Sequence, residues 1–277
     1  MEVGLTIASV LVTTTNAGVI FMVLCIKELR TYTNIFVVSL AISDTLTGAI
    51  FFPLYIFPHS IVTGYLIFFI LIAGVMNLCA VTWERYVAII EPFRYKGKLK
   101  KSQKKILIAI WSIPSLVTLI PLAWEADSKT TYHKYFNVST LLILVIIPYV
   151  FIVAAYIRIW LRLRSHTAQM RKRINMTNEQ REGARRASLE GKTVKVFFVV
   201  VSVFLVSWLP VIYMTIVGVV LNRPDLIPPL LSEISLFTIA GSSMINPILY
   251  ALMKNDFKGR LSGFFSFIHR QQTPTTE

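Results

Sequence analysis

Apolar runs of roughly 20 residues alternate along this chain with short polar clusters, most of them basic. Seven such runs occur, at about 4–27, 34–57, 61–90, 104–123, 138–162, 193–220 and 228–253. A helix of about 20 residues rises about 30 Å, the thickness of a bilayer's hydrocarbon core. It also satisfies its own backbone hydrogen bonds, which an irregular segment in lipid does not. The pattern therefore predicts an all-α membrane protein, a seven-transmembrane-helix bundle forming a single domain over 1–277. After the last run, Phe257, Leu261, Phe264, Phe265 and Ile268 recur at helical spacing among polar residues. This predicts a short amphipathic C-terminal surface helix at about 254–268. The first run begins almost at Met1 without a charged leader or a small-residue cleavage signal, so it reads as a retained span inserting as a signal anchor.

Composition agrees: 55% of the 277 residues are hydrophobic and 15% charged. A net charge of +14 would suggest nucleic acid in a soluble protein. Here all but Lys129, Lys134 and Arg223 of the 28 Lys and Arg fall in loops after odd-numbered spans, at the adjoining span ends, or in the tail. The positive-inside rule then places the N-terminus outside and the C-terminus in the cytoplasm, so membrane lipids and not nucleic acid are the expected partners of the basic residues. Cys25 and Cys79 both lie inside apolar runs, which suits packing and predicts no disulfide and no metal site. The longest polar segment, Ser165 to Gly191, contains R-R-A-S, making Ser188 a candidate phosphorylation site in what is otherwise a solvated basic loop. Asn137, in N-V-S on the outer side, is a candidate glycosylation site close to the fifth span, whereas Asn175 in N-M-T faces inward.

Ionisable groups inside spans are expensive and by default functional. Asp44 is the carboxylate nearest the middle of a span; it is either neutral and hydrogen-bonded or part of a switch, and the second reading is favoured. Arg85, at the inner end of the third span beside Glu84, reads by itself as a snorkelling residue. Prolines 53, 114, 121, 148, 210 and 247 fall inside spans, where each removes a backbone donor and kinks or opens a helix.

These features recur in a fixed order. The first span carries T-N-A-G-V with Asn16 and Val19, the second L-A-I-S-D ending in Asp44, and the third E-R-Y (Glu84, Arg85, Tyr86) followed by Pro92. The fourth has Trp111, the fifth Pro148 and Tyr156, the sixth F-L-V-S-W-L-P with Phe204, Trp208 and Pro210, and the seventh N-P-I-L-Y with Asn246, Pro247 and Tyr250. In this order, over nearly the whole chain, they resemble the rhodopsin-like, or class A, G-protein-coupled receptors. Thr15 replaces the family's glycine and Ser207 its cysteine.

The resemblance implies a plasma-membrane receptor, not an enzyme, that binds an extracellular ligand and activates a heterotrimeric G protein by outward movement of the sixth helix. On that reading Glu84 and Glu190 hold Arg85 at rest, Tyr156 and Tyr250 swing toward it on activation, and Trp208 with Phe204 couples ligand contact to motion about Pro210. Asn16, Asp44, Ser243 and Asn246 are implied to share a hydrated network able to bind sodium, although Gly74 stands where the family usually has serine. Aligned on Arg85, the ligand pocket falls at Ile67, Phe68, Leu71, Trp208, Val211, Ile212, Leu236 and Ala240. It holds no aspartate for an amine and no lysine for retinal, which favours an apolar, lipid-like ligand or a short peptide meeting Glu125, Asp127 and Glu233 at the mouth. The usual disulfide is missing: Ser60 occupies its place on the third helix, and the second outer loop has no cysteine. A seven-span transporter or channel is the alternative, but no internal repeat or paired broken segment supports it. An intramembrane protease would need paired aspartates or a Ser/His pair within the spans, and neither is present.

Overall fold

A computed structural model describes residues 2–56, 60–124, 131–171, 199, 202–203 and 205–253. The surface helix expected at 254–268 and most of the first half of the sixth span lie outside the described residues. Among those described, all regular structure is helical, and the chain forms a seven-transmembrane-helix bundle. We label the helices α1 (Glu2–Cys25), α2 (Tyr32–Ile56), α3 (Ile61–Ile90), α4 (Pro92–Trp124), α5 (131–171), α6 (Leu205–Val220) and α7 (Pro229–Met253). The first five contain stretches long and apolar enough to cross a bilayer. Helix α1 packs on α2 and α7, while α3 packs against α2, α4 and α5 and so holds the middle of the bundle.

Local chemistry explains several boundaries. Ser60 starts α3 with a capping box: its hydroxyl accepts from the Thr63 N–H at 3.3 Å, while Thr63 Oγ1 accepts from the Ser60 N–H at 2.7 Å. The residue standing where the family usually has a cysteine thus has a capping role here. Thr31 caps α2 in the same way, accepting from Asn34 N–H at 3.2 Å. Pro92 opens α4 in the first turn, where a missing N–H has no partner to lose. From there the helix runs unbroken to Trp124. The basic run K-G-K-L-K-K-S-Q-K-K, expected as a loop before a span at 104, is therefore helical. Helix α5 likewise begins at Thr131, inside what the sequence suggested was an outer loop.

Prolines shape the interiors. Pro53 and Pro148 each follow a wider, π-type turn, Thr47–Phe51 in α2 and Leu141–Ile146 in α5. These turns absorb the carbonyl that proline leaves without a donor one turn back. In the first of them, Gly48 lies against α1: Ser9 Oγ donates to the Gly48 carbonyl at 2.7 Å, and a Cβ at Gly48 would come within 2.5 Å of Thr13 Oγ1 and 2.8 Å of the Thr13 nitrogen. Only glycine permits this approach. After α6 the chain turns through Asn222 at φ 53°, the left-handed region that asparagine tolerates. Arg223 then grips both oxygens of Asp225 at 2.8–3.1 Å, holding that exposed carboxyl below its ordinary range.

The core divides by height. One apolar cluster, around Phe36, Leu40, Leu78, Val81, Ile152 and Tyr156, sits at the Arg85 end. Two others, around Phe52, Ile70 and Leu236 and around Val75, Leu144 and Trp208, fill the opposite half.

Candidate functional site

Glu84 and Arg85 are neighbours on α3, where consecutive side chains point about 100° apart and ordinarily do not pair. Here they do: Arg85 Nε lies 3.1 Å from Glu84 Oε2, with Glu84 only 1% and Arg85 13% exposed. A buried carboxylate needs every lone pair engaged, because desolvation otherwise outweighs its attraction to the cation. The second oxygen, Oε1, accepts from the Tyr95 hydroxyl, and that hydroxyl also pairs with Thr33 Oγ1 at 2.5 Å. Tyr95 is three residues past Pro92, and Thr33 lies in the first turn of α2. The carboxylate is thus held by α2, α3 and α4 together.

The sequence pointed to Glu84 and Arg85 but missed Tyr95 and Thr33. Tyr95 stands two residues after Phe93, at the head of a lysine-rich stretch. Once Pro92 is seen to start a helix, it falls on the same helix as the fourth span, half-buried among exposed lysines. Tyr86 accepts from Arg158 Nη1 at 3.4 Å. Tyr156 is buried on α5 beside Thr82, with Arg85 and Glu84 close by. Glu190 and Phe204 lie outside the described residues, and Tyr250 is placed on α7 by its backbone alone.

The second constellation is at mid-depth. Asn246 Nδ2 donates to Asp44 Oδ2 at 2.8 Å, with Ser243 beside the same carboxyl. Asn16 Nδ2 donates to the carbonyls of Val12, at 2.9 Å, and Ser243, at 3.1 Å, tying α1 to α7. The other amide oxygens, Asn16 Oδ1 and Asn246 Oδ1, are buried without a hydrogen-bond partner. A cavity of about 40 Å³ adjoins Asn246, lined also by Asp44, Gly74, Trp208, Ser242 and Ser243 among others. Its volume suits two or three waters, each needing roughly 10–15 Å³. Gly74 opens onto this cavity, and a Cβ there would meet nothing within 4 Å. One carboxylate, serine hydroxyls and the unsatisfied Asn246 amide oxygen in a space of this size fit a small hard cation. Ser242, absent from the sequence-based set, joins this lining because it precedes Ser243 on α7.

Above the cavity, Trp208 is buried two residues before Pro210. Ser207 Oγ reaches the Val203 carbonyl of its own helix at 2.7 Å and the Thr238 carbonyl of α7 at 2.8 Å, joining α6 to α7 next to the proline. The expected pocket residues pack closely. Ile67, Leu71, Val211, Leu236 and Ala240 meet in one apolar cluster, and Phe68, Leu71, Trp208, Val211 and Ile212 in the next. The polar anchor of the fourth span is equally specific: Trp111 Nε1 donates to Ser39 Oγ at 3.0 Å, which donates to Asn77 Oδ1 at 2.5 Å.

Asn137 sits half-buried within α5, and Ser188, Glu125 and Asp127 lie outside the described residues. Cys25 and Cys79 are free thiols. No cluster of three or more metal-ligating side chains occurs among the described residues.

Seven helices, a buried Arg–Glu centre at one end and a polar network at mid-depth define a membrane receptor architecture. A family model described as 7 transmembrane receptor (rhodopsin family) matches residues 15–250, and the chain belongs to that family, whose members are multi-pass membrane receptors and not enzymes. It is 27% identical to a D(1C) dopamine receptor from Xenopus laevis, over 85% of this chain and 61% of that one. It is also 27% identical to a Gq-coupled rhodopsin from Mizuhopecten yessoensis, over 94% of this chain and 58% of that one. The match to adenosine receptor A3 from Bos taurus is 27% as well, over 88% of this chain and 82% of the receptor. The chain thus spans about three-fifths of the length of the dopamine receptor and the rhodopsin. Squid rhodopsin shares the fold, with a TM-score of 0.78 at 19% identity, over 99% of this chain and 87% of that one.

Proposed function

We propose that this protein is a plasma-membrane receptor that binds a ligand from outside the cell and activates a heterotrimeric G protein through Arg85. The observation that carries the reading is the buried Glu84–Arg85 pair at 3.1 Å, braced by Tyr95 from a neighbouring helix. A cation held at the end of the bundle is a two-state element: released, it offers a charged contact to a partner. The distribution of lysine and arginine sets the N-terminus outside and the C-terminus in the cytoplasm, so Arg85 faces the G protein.

Outward movement of α6 about Pro210 is the proposed opening, with Trp208 as its sensor. Tyr156 and Tyr250 are the partners proposed to receive Arg85 once Glu84 and Glu190 let go. The ligand is neither a monoamine nor retinal, since Ile67 and Ala240 stand where an aspartate and a lysine would be needed. An apolar molecule or a short peptide suits the site. Sodium at Asp44, Ser243 and Asn246 would add positive charge to a buried carboxyl and favour the resting arrangement.

The test is GTPγS exchange on a purified heterotrimer with the receptor in lipid nanodiscs. Wild type accelerates exchange and Arg85→Ala does not. Full exchange by Arg85→Ala at equal receptor concentration overturns the reading.

A further inference from the structure

A cavity of about 310 Å³, far larger than the one beside Asp44, lies between α3, α4 and the first turns of α5. Gly64, Tyr65 and Phe68 line it from α3, Pro121 from the end of α4, and His133, Phe136 and Asn137 from α5. Of the residues expected to meet ligand, it includes Phe68 alone. Gly64 precedes Arg85 by 21 residues of continuous helix, so this space lies roughly 30 Å from the Arg85 centre.

Its walls are aromatic. The Phe68 and Phe136 rings are 6.0 Å apart at 51°, and Trp124 backs Phe136 edge-on at 5.7 Å. Trp124 Nε1 donates to His133 Nδ1 at 3.3 Å, which ties these two rings of the wall together. The Tyr65 hydroxyl is shielded from solvent yet has no hydrogen-bond partner, an unfavourable state that a bonding group on a ligand relieves. The Asn137 amide completes the polar set. No charged side chain lines the space among the described residues, so an ion entering it would be desolvated without compensation.

From this geometry we infer that the cavity between α3, α4 and α5 binds a neutral, planar aromatic ligand bearing a hydrogen-bonding group, packed against the wall that Phe68 and Phe136 form and bonded to Tyr65. Edge and offset contacts between rings add to the gain from area burial. The volume falls at the lower end of the range for small-molecule sites. As the receptor's ligand site, the cavity rests on the function proposed above; as a binding site, it does not.

Two variants test it. A side chain at Gly64 meets nothing within 4 Å, so Gly64→Phe fills the cavity, and Tyr65→Phe removes one hydroxyl at constant shape. The probe is 5-fluoroindole, followed by fluorine NMR line broadening on the full chain in nanodiscs, with empty nanodiscs subtracted. Wild type should broaden the probe, Gly64→Phe should raise its Kd at least about tenfold, and Tyr65→Phe about three- to tenfold. No excess broadening by wild type, or broadening that both variants leave unchanged, overturns the site. If Gly64→Phe fails to fold, Tyr65→Phe decides alone. Basal GTPγS exchange on the same samples separates the two readings: binding without Arg85-dependent exchange removes the receptor function and leaves the site, and exchange without binding does the reverse.

Discussion

At the Arg85 end, both oxygens of Glu84 are engaged, one by Arg85 and one by the hydroxyl that Tyr95 shares with Thr33. Around Asp44, by contrast, one oxygen is held by Asn246, whose own amide oxygen has no protein partner, and both residues line a cavity of about 40 Å³. A buried carboxylate with both oxygens engaged is held firmly and loses several kcal/mol when one partner is removed. A part-satisfied one takes water or an ion and tolerates rearrangement. On the function proposed, the first is the latch and the second the joint. A helix that must move needs both, because a bundle satisfied throughout has no second arrangement of similar energy.

The largest test of this contrast is Glu84→Gln. Removing one charge from a buried pair costs on the order of 3–5 kcal/mol in the arrangement that contains it. Basal GTPγS exchange should rise tenfold or more, and an unchanged basal rate would mean the latch is elsewhere. Next in size is Gly48→Ala, which adds a Cβ 2.8 Å from backbone in α1. It should lower Tm through a loss of about 1–3 kcal/mol while leaving the basal rate per folded receptor alone. A rate change at unaltered Tm would join Gly48 to the switch.

Tyr95→Phe leaves Glu84 Oε1 without its donor, worth about 1.5–3 kcal/mol for a charge-assisted bond. A several-fold rise in basal exchange, smaller than that of Glu84→Gln, is expected from the same assay. The smallest effect should come from Gly74→Ser, which places a hydroxyl in open space beside Asp44. If that network takes sodium, 150 mM NaCl compared with choline chloride should suppress basal exchange about twofold more in the variant than in wild type. Equal suppression would remove sodium from the joint.

Much of the bundle was legible from the run lengths alone, since lipid leaves helices as the only way to satisfy isolated spans. Ser60 and Pro92 were visible in the chain, yet each gains its role from local structure: one caps α3, the other starts a helix through residues that looked like a basic loop. Lysines face water equally well from a loop or a helix, so charge could not distinguish the two. Tyr95 was illegible for the same reason. Its importance depends on α4 beginning early enough to bring a hydroxyl to Glu84, eleven residues back along the chain.

What the sequence by itself determined is the class of molecule: seven apolar spans, basic residues gathered in alternate connections, and one motif per span in order. These depend on solvent and on residue spacing, which are local properties. The tertiary structure decided which of the expected polar residues meet, that Gly48 and not a larger residue seats α2 on α1, and where empty volume remains. The residues expected to surround a ligand pack mainly against one another, while the larger space opens beside them between α3, α4 and α5. Volume is set by how whole helices approach and tilt, and no pattern along one chain encodes it.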